Sequence, residues 1–142
     1  MAWPRVDGLR ALELGTPGDL REELNRLVLA GRKRATAGLL SEYADEDEPI
    51  EHFGERLALL DSAGAHVATV QVTAVEVVPF GDVPWSFALA EGEGDADLEE
   101  WREGHGRFWE GEGTPVTDDT SVVCVRFVLE AGAARTQERS WR

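Results

Sequence analysis

Cysteine, lysine and long apolar runs are what this chain of 142 residues has least of. Its single cysteine, Cys124, cannot form an internal disulfide. The thiol sits inside the apolar run "SVVCVRFVL", which marks it as a small buried hydrophobe rather than a nucleophile. No apolar stretch approaches the ~20 residues needed to cross a bilayer, so no membrane partner is expected. The start "MAWPRVDGLRALELG" has neither a basic leader nor a long apolar segment, so no signal peptide is expected and the cytoplasm is the expected compartment. Three scattered histidines and one cysteine do not make a zinc ligand set; neither a metal nor another cofactor is expected. Positive charge is also scarce, with 28 acidic residues against 14 basic ones and a net charge of −14. Such a surface repels phosphate, so nucleic acid would have to be met by a local basic pocket, whereas a small neutral substrate meets no barrier.

What is present fits one domain with one core. In "TPGDLREELNRLVLAGRK", Leu20, Leu24, Leu27 and Val28 share one helical face, with Asp19 as N-cap and Gly31 just past the C-terminus. "ATAGLL" reads as a short strand or turn. The acidic run "SEYADEDEPIEHFGE" leaves little to bury and reads as a solvated loop with one helical turn; it lacks the central glycine of a calcium-binding loop. "RLALLDSAGAHVATVQVTAVEVV" is a hairpin turning at "DSAG", with Ala68, Val70, Val72 and Ala74 on one face. "PFGDVPWSFALAEGEGDADLEEWREGHGRFW" opens on proline and glycine punctuation. It ends as a helix that carries Leu98, Trp101, His105 and Phe108 on one face and Asp95 or Asp97 as N-cap. "TSVVCVRFVLE" is a third long strand. Strands separated by irregular, helix-bearing connections indicate an α+β domain built on a small, mostly antiparallel sheet or barrel with flanking helices. The tail from Ala131 has no sheet pattern and is expected to be disordered.

The lone lysine, Lys33, lies between Arg32 and Arg34, in a chain whose other thirteen basic residues are arginine. Lysine, unlike arginine, can lose its proton when it is desolvated or crowded by cations, and then serves as a base. Composition alone accounts for one surviving lysine in an arginine-biased sequence; chemistry is the sharper reading. Thr36, three residues on, shares a face with Lys33 only if the chain is still turning after Gly31. A threonine hydroxyl needs an adjacent base to act as a nucleophile. In "EGEGD", glycines flank Glu93, which suits either an exposed catalytic carboxylate or a flexible turn near Asp95. In "WREGH", Trp101 and His105 are four apart, as packing alone would place them. Arg126, opposite Val125 and Phe127, faces either a cleft or solvent.

Together these pieces resemble the ASCH domain family, named for homology to a transcription coactivator and built on a PUA-like β-barrel. The resemblance is carried in order by "LAGRKRAT", "EDEP…FGE", "VEVVPFGDV", "FALAEGEGDADLEEWREGH" and "VVCVRF", from about Leu20 to Leu129. It implies a domain over 19–130, with 1–18 as an N-terminal extension and 131–142 as a tail, and a cleft for nucleic acid or its components. Some members resemble RNA-binding or RNA-cleaving proteins; a compact branch hydrolyses the amide of N4-acetylcytidine. By that resemblance Lys33 is the proton acceptor, Thr36 the nucleophile and Glu93 the proton donor, with Glu91 the other register. The chain is longer than the compact branch, and its "EGEGD" and "WREGH" pieces are typical of a different one. Arg32 and Arg34 would lower the lysine pKa by like-charge repulsion. Trp85, Phe87 or Trp101 would offer a stacking surface for a base. On the rival reading, single-stranded RNA binds a basic cleft of Arg32, Lys33, Arg34, Arg102 and Arg126, with Glu93 and His105 as the acid–base pair of a ribonuclease.

Overall fold

Leu24 and Val28 bury one face of helix α1 (Asp19–Leu29) in the computed structural model, which describes residues 2–130. Gly31, with φ +77, ends the helix in the left-handed turn that glycine permits. Asp19 does not cap it: Gly18 holds the N-cap position and no side chain caps the helix. The reading of 131–142 as a disordered tail lies outside the described residues.

Six strands form one sheet in the order β1-β2-β4-β5-β6-β3. They are β1 (Arg5–Val6), β2 (Leu9–Leu12), β3 (Ala35–Leu39), β4 (Arg56–Leu60), β5 (His66–Pro79) and β6 (Ser121–Leu129). Every pairing is antiparallel except β2 with β4. The α+β class is therefore as expected, but the barrel does not close, because β1 and β3 stand at opposite ends of the order. The segment before residue 19 contributes both β1 and β2 to this sheet.

The predicted hairpin is β4–β5. Its inward alternation of Ala68, Val70 and Val72 is broken between Val72 and Ala74, where the β5–β6 register shifts; Ala74 is exposed and Val75 packs inward instead. One extra residue reverses the facing of everything after it. Strand β6 lies between β5 and β3 and is buried on both sides. Val123, Val125 and Phe127 join a core under α1, while Val122 and Cys124 join a second core with Phe80, Phe87, Trp101 and Trp109. Burial pushes the Cys124 thiol up to about 12, which keeps it an inert hydrophobe. The second core is covered by α3 (Trp85–Glu91), which the pattern did not reveal, and by α4 (Leu98–Gly111). Of the two N-cap candidates for α4, Asp97 holds the position and accepts the Glu100 N–H at 2.8 Å.

The acidic run departs from the solvated-loop reading. It begins as helix α2 (Leu40–Asp45), and Glu48 and Glu51 behind it are buried. Arg5 forks onto Glu48 with two bonds of 2.9 Å, Arg10 forks onto Glu55, and the Tyr43 hydroxyl donates to Glu51 at 2.8 Å. These carboxylates fasten β1 and β2 to the loop. Hydrogen bonds from Arg5 hold the Glu48 carboxyl at about 2, against an ordinary 4.5. A depressed folded-state pKa means stability that is full above about 4.5 and is lost as pH falls towards 2. Urea unfolding between those limits should therefore show falling stability with falling pH, and Glu48→Gln should flatten that part of the curve.

Candidate active site

The turn at Gly31 delivers Lys33. The N–H groups of Arg32 and Lys33 both donate to the Leu27 carbonyl, at 2.9 and 3.0 Å, which folds the segment back under the helix end. Arg34 N–H donates to the Ala90 carbonyl at 2.7 Å, and the Arg34 carbonyl accepts Phe127 N–H at 2.9 Å. The segment is thereby stitched to α3 and β6 before β3 begins. Lys33 thus precedes the regular strand, and the opposite-face rule for a residue three along does not apply to it. Lys33 and Thr36 line one cavity of about 260 Å3, with Glu91, Glu93, Asp95 and His105.

Lys33 is buried, with its side chain only 1% exposed. Its ammonium donates to Glu91 Oε2 at 3.0 Å and to Glu93 Oε2 at 2.6 Å. Glu91 stands at the end of α3, where its Oε1 also accepts the Trp101 indole N–H at 2.7 Å and lies 3.0 Å from His105 Nε2. Burial alone would raise the Glu91 carboxyl, but the charges of Lys33 and His105 hold it at about 2. Glu93, with a quarter of its side chain exposed, is raised, first by burial and then by the neighbouring Glu91 charge, against the pull of Lys33. Burial pushes the Lys33 amine down, yet the two carboxylates outweigh it and its pKa is raised. That reverses the expected tuning by Arg32 and Arg34, which are exposed and line an outer groove with Leu89 and Gly94. The oxygens of Glu91 and Glu93, and His105 beside them, converge as metal ligands would; the lysine ammonium is bonded to both of the glutamates.

Other expected residues fall elsewhere. Phe87 and Trp101 are buried in the second core, so neither offers an open face to a base; Trp85, half-buried, packs against that core and does not line the cavity. Arg102 donates to the Gly81 carbonyl at 2.6 Å and lines a separate hollow. Arg126 lies over the Phe87 ring at 5.5 Å. The five basic residues of the rival reading do not line one cleft. Glu93 and His105 do share the cavity, together with Asp95. The aromatic walls are Phe108 and Trp109 of α4, and the apolar walls are Leu14, Leu20 and Leu24. Phe108 was legible on the helical face; Leu14 was not, since it follows a two-strand segment with no amphipathic signature of its own. A second, more polar hollow of about 280 Å3 adjoins the first and shares Thr36, Ala37, Phe108 and Trp109 with it. Its lining comes from β2 on one side and the edge strand β3 on the other.

An open mixed sheet flanked by helices makes this an α+β domain, and its likeness to a solved ASCH domain supports a PUA-like fold. More particularly, the chain belongs to the ASCH domain family, whose model matches residues 11–130. Protein EF3133 from Enterococcus faecalis V583, described under the family name DUF984, is 32% identical to it with a TM-score of 0.74, over 83% of this chain and 74% of that one. An ASCH domain from Lactobacillus crispatus JV V101 is 25% identical with a TM-score of 0.73, over 84% of this chain and 77% of that one. The hypothetical protein PH0355, 18% identical with a TM-score of 0.56 over 77% of this chain and 93% of that one, shares the fold. No curated protein matches the chain in sequence. Among the described residues no helix is long and apolar enough to cross a membrane.

Gly92, at φ +66, ends α3 against the lysine segment: a Cβ there would stand 2.1 Å from the Arg32 carbonyl oxygen. Gly92→Ala should lower the unfolding free energy, measured with urea, by more than the ~1 kcal/mol of an unhindered left-handed glycine. Gly106→Ala, in α4 with open space around the added methyl, should raise stability by ~0.5–1 kcal/mol.

Proposed function

We propose that the cavity is the active site of an amidohydrolase acting on an N4-acylated cytosine nucleoside. The observation that carries this reading is that Lys33, Thr36 and Glu93 line one cavity, with Lys33 and Glu93 joined by a 2.6 Å hydrogen bond. The cavity volume lies near the lower end of the ~300–1,000 Å3 typical of small-molecule sites, which suits a nucleoside better than a folded RNA. The net charge of −14 leaves a neutral nucleoside unopposed.

The resting site holds an ammonium, whereas a base must be neutral. Passing one proton along the Lys33–Glu93 bond produces both groups the reaction needs, a neutral amine and a carboxylic acid. Burial of the two groups favours that uncharged pair, and substrate entry strengthens the preference by expelling water. The amine then takes the Thr36 hydroxyl proton as the oxygen attacks the acyl carbon. Glu93 gives its proton to the exocyclic nitrogen as the C–N bond breaks and cytidine leaves. Water hydrolyses the acyl-threonine, losing one proton to the Glu93 carboxylate while the Lys33 ammonium returns one to Thr36, and the acid is released. Glu91, whose carboxyl the Lys33 and His105 charges hold low, is the poorer donor of the two glutamates, which supports Glu93 as the acid.

Purified protein should hydrolyse N4-acetylcytidine to cytidine and acetate, followed by the change in ultraviolet absorption or by chromatography. Thr36→Ala should abolish turnover. Lys33→Arg, which keeps the charge but not the titratable base, and Glu93→Gln should each lower kcat by ~10²–10⁴-fold. Equal turnover by all variants would overturn the assignment. Oligonucleotide binding that weakens steeply with salt, without amide hydrolysis, would favour the RNA reading instead.

A further inference from the structure

His105 is surrounded by acceptors. Its Nδ1 lies 3.0 Å from the Trp101 carbonyl oxygen, which can only accept. Its Nε2 lies 3.0 Å from Glu91 Oε1, an oxygen that already accepts the Trp101 indole N–H. Glu91 accepts from Lys33 on its other oxygen and has no proton to offer. A neutral imidazole carries one N–H and one lone pair, so either tautomer would set its lone pair 3.0 Å from an oxygen that cannot donate to it. Only the imidazolium has an N–H to offer at both nitrogens. The ring also stacks on Trp101 at 4.1 Å and meets Trp109 edge-on at 5.5 Å, aromatic neighbours that favour a cation.

We infer that His105 is a standing imidazolium, the counter-ion of Glu91, and thereby the positioning residue that frees Lys33 to surrender its proton. The inference rests on the amidohydrolase reading for its catalytic consequence but not for the charge itself. Two cations, Lys33 and His105, face two carboxylates, Glu91 and Glu93, within the cluster, with Asp95 at its outer edge. If Lys33 were the only cation on Glu91, handing its proton to Glu93 would strand a buried carboxylate without a partner, at a steep cost. With His105 charged, Glu91 keeps a partner in both proton arrangements. The direction of the His105 pKa agrees: burial lowers it, and the hydrogen bond and charge of Glu91, with the Glu93 charge, raise it above 6.5 overall.

The charge is read first by nitrogen-15 NMR of the histidine rings of the full chain at pH 7.5, where an ordinary histidine of pKa ~6.5 is mostly neutral. His105 should show two protonated ring nitrogens. A His105 with a single protonated ring nitrogen at that pH would overturn the inference, whatever the enzyme turns over. The consequence is read with N4-acetylcytidine. His105→Gln should lower kcat by ~10²-fold with little change in KM, and His105→Arg, a permanent cation that also stacks on tryptophan, should recover part of it. Wild-type kcat should fall as pH rises through the His105 pKa, a limb that His105→Arg removes. If Gln and Arg variants lose kcat equally, the counter-ion role fails. If the wild type does not turn over the substrate, the amidohydrolase reading fails while the NMR result still decides the charge.

Discussion

A buried ammonium must be surrounded or neutralised, and the folded positions of Lys33, Glu91, Glu93, Trp101 and His105 follow from that requirement. An ammonium taken out of water carries a penalty of several kcal/mol unless carboxylates and hydrogen bonds replace its hydration. Here the replacements come from the end of α3 and the loop after it, α4 bracing Glu91 through Trp101, while the lysine itself hangs from the end of α1. A single electrostatic demand thus ties together segments that are 58 and 60 residues apart. For the proposed reaction arginine would not serve: its fork would find partners, but it would not give up a proton.

Much of the scaffold was legible in the sequence because the signals were local. Gly31 ends α1 where a left-handed residue is wanted, "DSAG" turns the hairpin, and Asp97 caps α4. What escaped depends on distant partners. Glu48 looks like one more solvated acid until Arg5, 43 residues away in sequence, is placed on it. Phe87 and Trp101 look like surfaces for stacking until β6 is found to be buried on both faces and to need cover on each. The bulge after Val72 could not be read from alternation, because valine and alanine populate both phases there. In the site, the lysine, the threonine and the glycine-flanked glutamate stood out by type and spacing. The charge on His105 did not, since it follows from what its two nitrogens face.

The incomplete barrel matters as much as the charges. The sheet ends at β1 and β3; the second hollow is lined by β2 and β3, and the first by β3 and the segment that follows β2. Thr36 stands on the edge strand, where two hollows meet, so groups on either side of a bond presented there have separate room. Around that opening the protein carries carboxylates in excess, which on the proposed function favours a neutral solute over a polyphosphate.

The close approach of Gly92 to the Arg32 carbonyl has a consequence for anyone who would move this chemistry to another scaffold. The lysine loop and the glutamate loop are two halves of a single fitted part, keyed by an absent methyl group. Grafting either half alone would carry the reactive groups and lose the key, and the transplanted lysine would settle in water as an ordinary surface cation.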